Sequence, residues 1–265
     1  MSPETHRPNT KVRIRFSKLG KIRFTSHRDV ARIWERALRR AALPVAYTEG
    51  FSPHPKLSFG LALSTGHESL GEYLDVDLAA PDTGVEAVDI EGLPARLDPC
   101  LPIGLDVQAA AEIEPGTPSL QQAVTSCTWH IEVNGLGPAE LADRVSRCLE
   151  RDSLVVTRER KGHEVTDDLR PAILTLTTEA TAVTAELATQ PRGVRPIELV
   201  ALLATEAGDE LAEGRVRRLH QWLSIDGART EPLPLPSAAT SRPPTQRDLS
   251  DVRPTGAECS AVPTG

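Results

Sequence analysis

Gly50–Leu78, GFSPHPKLSFGLALSTGHESLGEYLDVDL, is the stretch whose reading decides the fold. Its opening, Gly50-Phe51-Ser52-Pro53-His54-Pro55, excludes helix and central strand. Two prolines fix φ, remove backbone donors and push the residues before them into extended geometry. His54 is therefore expected in a stiff loop. Next, Leu57, Phe59, Leu61 and Leu63 alternate with Ser58, Gly60, Ala62 and Ser64, the period-2 pattern of a strand with one large apolar face. The nearly bare opposite face admits a closely packed helix or, alternatively, a ligand. After a turn at Ser64-Thr65-Gly66, a second strand is expected from Glu72 to Leu78. Leu74, Val76 and Leu78 share one face of it, and Tyr73, Asp75 and Asp77 the other. Glu72 then falls on the core side, at the strand's first position. An isolated buried carboxylate is costly. Either Glu72 lies at the wet mouth of the sheet, or it meets His54, His67 and Glu68 in a polar site.

Upstream, Val12, Ile14 and Phe16 alternate with Lys11, Arg13 and Arg15, and Lys21-Ile22-Arg23-Phe24 repeats the pattern. This reads as a hairpin with Ile22 and Phe24 inward and a basic outer side of Lys11, Arg13, Arg15, Lys21 and Arg23. Ser26 followed by Asp29 marks a helix start. Val30, Ile33, Trp34, Ala37, Leu38 and Ala41 form its core stripe, and Arg28, Arg32, Arg36, Arg39 and Arg40 its exposed side. Such arginines either keep a helix soluble or bind phosphates, whose condensed counterions they release. Aromatic residues for base stacking are scarce here, with Tyr47 and Phe51 the nearest candidates, so backbone and shape recognition is expected over base stacking.

Downstream, a short helix near Val85–Leu93 and an extended segment near Leu105–Ile113 are expected. A second unit follows, with strands at Cys127–Val133, Leu154–Arg158, Ala172–Thr177 and Val183–Leu187. Its helices are expected at Pro138–Leu149 and from Pro196 to Leu203, and Glu210–Leu223 suits helix or strand. Asp167-Asp168-Leu169-Arg170-Pro171 places a carboxylate beside a guanidinium, as a connecting salt bridge or as a second polar site. The expected fold is α+β: two α/β-sandwich units with antiparallel sheets over residues 10–120 and 121–224, in the preferred version a duplicated ferredoxin-like plan. Residues 225–265 hold seven prolines and no apolar period. They read as a disordered tail whose removal leaves the melting transition unchanged.

The net charge of −7 is uneven. Residues 1–60 hold 13 Lys or Arg against 4 Asp or Glu, and the remainder 17 against 33. A charge split of this kind suits an anion-facing end. No apolar run is long enough for a membrane span, and the N-terminus lacks a signal-peptide core, so a cytoplasmic protein is expected. Cys100, Cys127, Cys148 and Cys259 are far apart and read as free thiols, with no metal site. P-loop, GxGxxG and GxSxG motifs are absent.

GFSPHP, LSFGLAL, GHESLGEY and LDVDL, with the preceding KVRIRFSKLGKIRFTSHRDVARIWERALRRAALPVAYTEG, resemble the radical-SAM-linked protein family, a domain of unknown function. DDLRPAI and GVRPIELV extend the likeness towards residue 200. In that family the domain stands behind a radical SAM enzyme or as a separate small protein, the form expected here. The resemblance carries over no catalytic residues. The CxxxCxxC motif of radical SAM enzymes is absent, so S-adenosylmethionine and an iron–sulfur cluster are expected only on a partner enzyme. Resemblance and charge together make this an accessory that binds RNA or a ribonucleoprotein. The alternatives are a stand-alone RNA-modifying or RNA-processing enzyme, with His54, Glu72 or Asp168 as catalytic groups, and a protein-interaction adaptor. Asp168 and Arg170 join His54, His67, Glu68 and Glu72 as the polar-site candidates.

Overall fold

A computed structural model describes residues 9–80, 87–160, 162–204 and 210–235. The described residues open with β1 (Thr10–Lys18), a 3-10 turn at Gly20–Phe24 and α1 (His27–Arg40). There follow β2 (Leu57–Phe59), β3 (Glu68–Leu78), α2 (Leu93–Leu97) and β4 (Leu105–Glu112). The second half holds α3 (Leu120–Ala123), β5 (Val124–Asn134), α4 (Pro138–Glu150), β6 (Val155–Arg160) and β7 (His163–Asp168). It continues through β8 (Ile173–Glu179), β9 (Ala182–Ala188), α5 (Pro196–Leu203), β10 (Ala212–Ile225) and β11 (Ala228–Thr230).

The fold is α+β, built on a large, mostly antiparallel sheet of nine strands among the described residues. Two internal orders repeat within it. The first half runs β4-β1-β3 with β2 against β3, and the second runs β10-β5-β9-β8. Apart from the inserted β6–β7 hairpin, each half follows β-α-β-β-α-β, and its first strand lies between its fourth and third. That is the ferredoxin-like plan, duplicated. The halves join where β3 and β10 run parallel, through Glu68–Arg217 and Ser69–Arg218. β2 is only three residues long, so it leaves the start of β3 open for β10.

Two cores follow from this arrangement. In the first, Val12, Ile14 and Phe16 of β1 and Leu74, Val76 and Leu78 of β3 pack under Val30, Trp34, Ala37 and Leu38 of α1. Fully burying each large side chain contributes about 1.5–3 kcal/mol. Trp34 meets Phe16 with ring centroids 4.8 Å apart. In the second core, Trp129 and Ile131 of β5 pack with Leu141 and Val145 of α4 and Leu199 of α5. α1 begins as its sequence dictates: Ser26 Oγ accepts from Asp29 N at 3.2 Å and donates to the Asp29 carboxylate at 2.7 Å. Ser26→Ala should therefore cost about 1 kcal/mol, read as a shift of the urea midpoint. An unchanged midpoint would show that the cap contributes nothing.

Several expectations change. Lys21–Phe24 is not a strand, because β3 and β4 take both edges of β1 and leave none for a hairpin partner. The strand expected to reach Leu63 ends at Phe59, where Gly60 N turns to donate to Tyr73 O at 3.0 Å. The strand expected from Glu72 begins at Glu68, because β10 supplies it a partner there. The helix expected at Val85–Leu93 lies partly outside the described residues, and the helix within them starts at Leu93. β7 pairs with β6 where no strand was expected. Glu210–Leu223 resolves as strand β10. The expected tail begins with structure: β11 pairs with the end of β10, and residues up to 235 are described. The rest of it, 236–265, lies outside the described residues. Among the described residues no helix is long and apolar enough to cross a membrane.

Candidate functional site: a cleft at the seam beside an arginine helix

The expected basic outer face of β1 is not a surface. Arg13 is only 3% exposed, and its Nε and Nη2 donate to the two Asp75 oxygens at 2.7 and 2.9 Å. Arg15, 2% exposed, donates to Gln108, to the Tyr73 hydroxyl, to Glu231 and to the Leu233 carbonyl. Alternation placed both arginines opposite the core, but β3, β4 and the segment after β11 cover that side with partners. Lys11 is half exposed, 3.9 Å from Asp77. Lys21 is exposed, and Arg23 is half-buried.

The helix does present its cations. Arg28, Arg32, Arg36, Arg39 and Arg40 are all exposed. Arg32 lies 3.4 Å from Asp29, and the other four have no carboxylate partner among the described residues. Arg28, Arg32, Arg36 and Arg40 recur every four residues, a rise of about 6 Å per step along the axis.

At the start of this helix opens a cleft of about 440 Å³. One wall comes from the first half: Arg23, Phe24 and the turn Thr65-Gly66-His67. The other comes from Glu132 of β5 and Glu213-Gly214-Arg215 of β10. The β3–β10 pairing brings the walls together. Phe24, expected inward, is 62% exposed, because the 3-10 turn re-aims it, and the Arg23 guanidinium stacks on it at 4.4 Å. His67 Nε2 lies 3.5 Å from Glu213, and its ring meets Trp129 edge-on at 6.1 Å.

The polar cluster expected around His54 divides into separate pieces. His54 is on an exposed loop, where its N–H donates to Thr48 Oγ1 at 3.0 Å. Glu68 is buried behind the cleft, accepting from Arg217 Nη2 at 2.7 Å and from Gly20 N at 3.0 Å. Burial would raise its carboxyl, but the Arg217 and Gly20 hydrogen bonds prevail and hold it below the usual range. Glu72 binds Arg218 through both oxygens, 2.6 and 2.8 Å from Nη2. Asp168 and Arg170 lie in the second half and act as an anchor. Asp168 accepts from Leu154 N and Arg170 N at 2.8 and 3.0 Å, bonds that keep its carboxyl low. Arg170 caps the end of α4, donating to the Leu149 and Arg151 carbonyls.

Lys18, unmarked by the sequence reading, is also buried, and desolvation keeps its pKa below the usual lysine value despite nearby Glu72. It donates to the Arg23 and Thr25 carbonyls and borders a cavity of only about 20 Å³. That is room for about one water and not for a substrate. Burial pushes the Cys127 thiol up to about 11 and raises Cys148, so neither is a ready nucleophile. Among the described residues, no group of three or more His, Cys, Asp or Glu is placed to hold a metal.

Arg215, Arg217, Arg218 and Glu213 were missed because Glu210–Leu223 suited helix or strand equally. Read as a strand, its GRVRRLHQW run would have flagged a second basic element.

The fold and cleft define a class: a tandem ferredoxin-like protein with a charged cleft at its seam and an arginine helix at the cleft's edge. The chain belongs to the family described as "Uncharacterized protein conserved in bacteria (DUF2344)", whose model matches residues 11–197. The match takes in β1 and stops within α5, ahead of β10. No curated protein matches the chain.

Proposed function

We propose that this protein is an accessory that holds RNA, or a ribonucleoprotein, for a separate radical SAM modification enzyme. One observation carries the RNA reading: α1 presents five exposed arginines, four of them without a carboxylate partner among the described residues. Arginines already spent on structure, such as Arg13 and Arg15, are buried with acceptors; those of α1 are left for an external anion. Guanidinium forks at regular spacing suit a phosphate backbone, and release of its counterions drives association. The cleft, with Arg23 and Arg215, continues that surface beyond the helix start. The radical SAM partner rests on the family resemblance alone, and S-adenosylmethionine and the iron–sulfur cluster belong to that partner in this reading. The enzyme alternative gains no support from Glu72 or Asp168, since both carboxylates are engaged by structural donors.

Mobility-shift titration of single-stranded and duplex RNA over a salt series tests the reading. Arg32→Glu with Arg36→Glu should weaken binding by about a hundredfold and flatten the salt slope by about one unit per lost phosphate contact. The fold should survive, because both side chains are exposed and the Arg32–Asp29 pair is worth little. Full-strength binding by the folded double variant would remove α1 from the interface.

A further inference from the structure

The cleft carries a more particular chemistry than attraction for phosphate. We propose that it receives one guanosine nucleotide of a single-stranded RNA. Its phosphate sits at Arg23 and Arg215, its base lies against Phe24, and the base edge faces Glu132 and Glu213. The inference rests on the RNA reading above and names the nucleotide which that RNA presents.

Four observations combine. The volume, about 440 Å³, falls in the range of pockets that take small ligands. The lining is divided by charge: guanidinium groups come from Arg23 and Arg215, and carboxylates from Glu132 and Glu213 on the neighbouring strands β5 and β10. A purely anionic ligand would be repelled by half of this lining, whereas a nucleotide has a negative end and an end rich in N–H donors. Phe24 is a large apolar ring left mostly in solvent, with Arg23 stacked on it. Aromatic rings so placed are platforms for bases, and a neighbouring guanidinium adds to the stacking. Finally, His67 Nδ1 and Glu213 Oε1 are buried without a hydrogen-bond partner among the described residues. Native proteins leave few such atoms, and here two belong to one His–Glu contact at the cleft wall. A small rotation of that contact meets a ligand's donors and acceptors.

The carboxylates select the base. An ionised carboxylate only accepts, and it accepts best from two parallel N–H groups. Guanine offers N1–H and N2–H side by side. Uracil offers one imino N–H between two carbonyls, which the carboxylate repels. Adenine and cytosine each present one amino group beside a ring acceptor. The cleft also adjoins the start of the helix: Phe24 is two residues ahead of the Ser26 cap of α1. A strand following the arginines of α1 delivers its next nucleotide there.

The test is calorimetric titration of the full chain with GMP, AMP, CMP and UMP, and with a mixed-sequence single-stranded oligoribonucleotide. GMP should bind at least about tenfold tighter than UMP. Glu132→Gln, which keeps an acceptor for Arg215 N–H, should narrow that ratio, and Phe24→Ala should weaken GMP by about tenfold. Arg32→Glu with Arg36→Glu should weaken the oligonucleotide and leave GMP unchanged. GMP bound no better than UMP, or GMP bound at full strength by Phe24→Ala, overturns the proposal. If the oligonucleotide still depends on Arg32 and Arg36 in that case, the RNA reading stands and only the guanine site falls. Selective GMP binding without oligonucleotide binding upholds the cleft and removes the RNA reading.

Discussion

Replacing Glu72 with alanine should destabilise the protein by about 3–5 kcal/mol, the cost of leaving a buried charge without its counter-ion. The stranded charge is Arg218, which is only 1% exposed. Its Nη2 and Nε make three contacts with the Glu72 carboxylate, and its cation lies 5.3 Å from the Trp129 ring centroid. After the substitution, Arg218 keeps a hydrogen bond to the Leu61 carbonyl at 2.9 Å, which does not neutralise it. Burial alone would lower the Arg218 pKa, but Glu72 more than offsets it, so the guanidinium stays charged. The effect is large for a second reason: Glu72 is on β3 and Arg218 on β10, so the pair bridges the two halves. Replacing both residues, Glu72→Leu with Arg218→Met, should recover most of the loss, since an apolar pair of similar volume removes the uncompensated charge. Urea denaturation of the single and double variants checks this. A single variant within about 1 kcal/mol of the parent would show that Arg218 finds water or another acceptor.

Ending the chain at Ser224 should cost about 3 kcal/mol or more relative to a chain ending at Leu235. The segment removed looks like linker in the sequence, yet it supplies three anchors. Glu231 binds both the buried Arg15 and His220 Nδ1, the latter at 2.8 Å. The Leu233 carbonyl accepts from Arg15 at 3.1 Å. Arg229 pairs with Glu186, which also accepts from Ser126 at 2.6 Å. Acid should act in the same direction. Burial would raise the Glu231 carboxyl, but hydrogen bonds from His220 and Arg15 outweigh it and hold the pKa below the usual value. A depressed carboxylate pKa stabilises the fold above the unfolded value, about 4.3, and that stability is lost as pH falls through the folded value. The stability gap between the two chain lengths should therefore be full near about pH 6 and narrow below about pH 4.3. Equal melting of the two chains at neutral pH would show that the segment does not hold Arg15.

Much of the fold was open to reading because it is set by neighbours in sequence. The Ser26 cap and the spacing of Val30, Trp34 and Ala37 depend on residues within two turns of one another, and the helix stands where they place it. Pro196 opens α5 as expected, since its fixed φ and missing N–H suit the first turn. The alternation of β5 likewise survives in its burial, with Trp129, Ile131 and Val133 buried and His130 and Glu132 less so. A similar order of strand, helix and antiparallel strands in the two halves was readable from these elements, although Lys21–Phe24 was expected as a strand and β10 was left open between helix and strand. For the candidate site, the arginine stripe of α1 was legible on the same grounds, because helical period alone separates it from the core side.

Other features depended on partners distant in the chain. Arg13 and Arg15 alternate with core residues as surface cations do, and partners distant in the chain, among them Asp75 and Tyr73 of β3 and Glu231 just after β11, turn them into buried groups. Phe24 reads as a core residue in an alternating run, but β1 has no free edge, so the run winds into a turn and exposes the ring. The cleft exists because two residues at the start of β3 pair with β10, 149 positions away at Glu68–Arg217. By itself, then, the sequence determined most of the helices and strands, the cap of α1 and its arginine face, all products of local backbone preference and short-range periodicity. The tertiary structure alone decided which charges are spent inside and which face outward, and where the two halves open into a cleft. A charged side chain's role is set by whichever partner reaches it, and here those partners come from strands far apart in the chain.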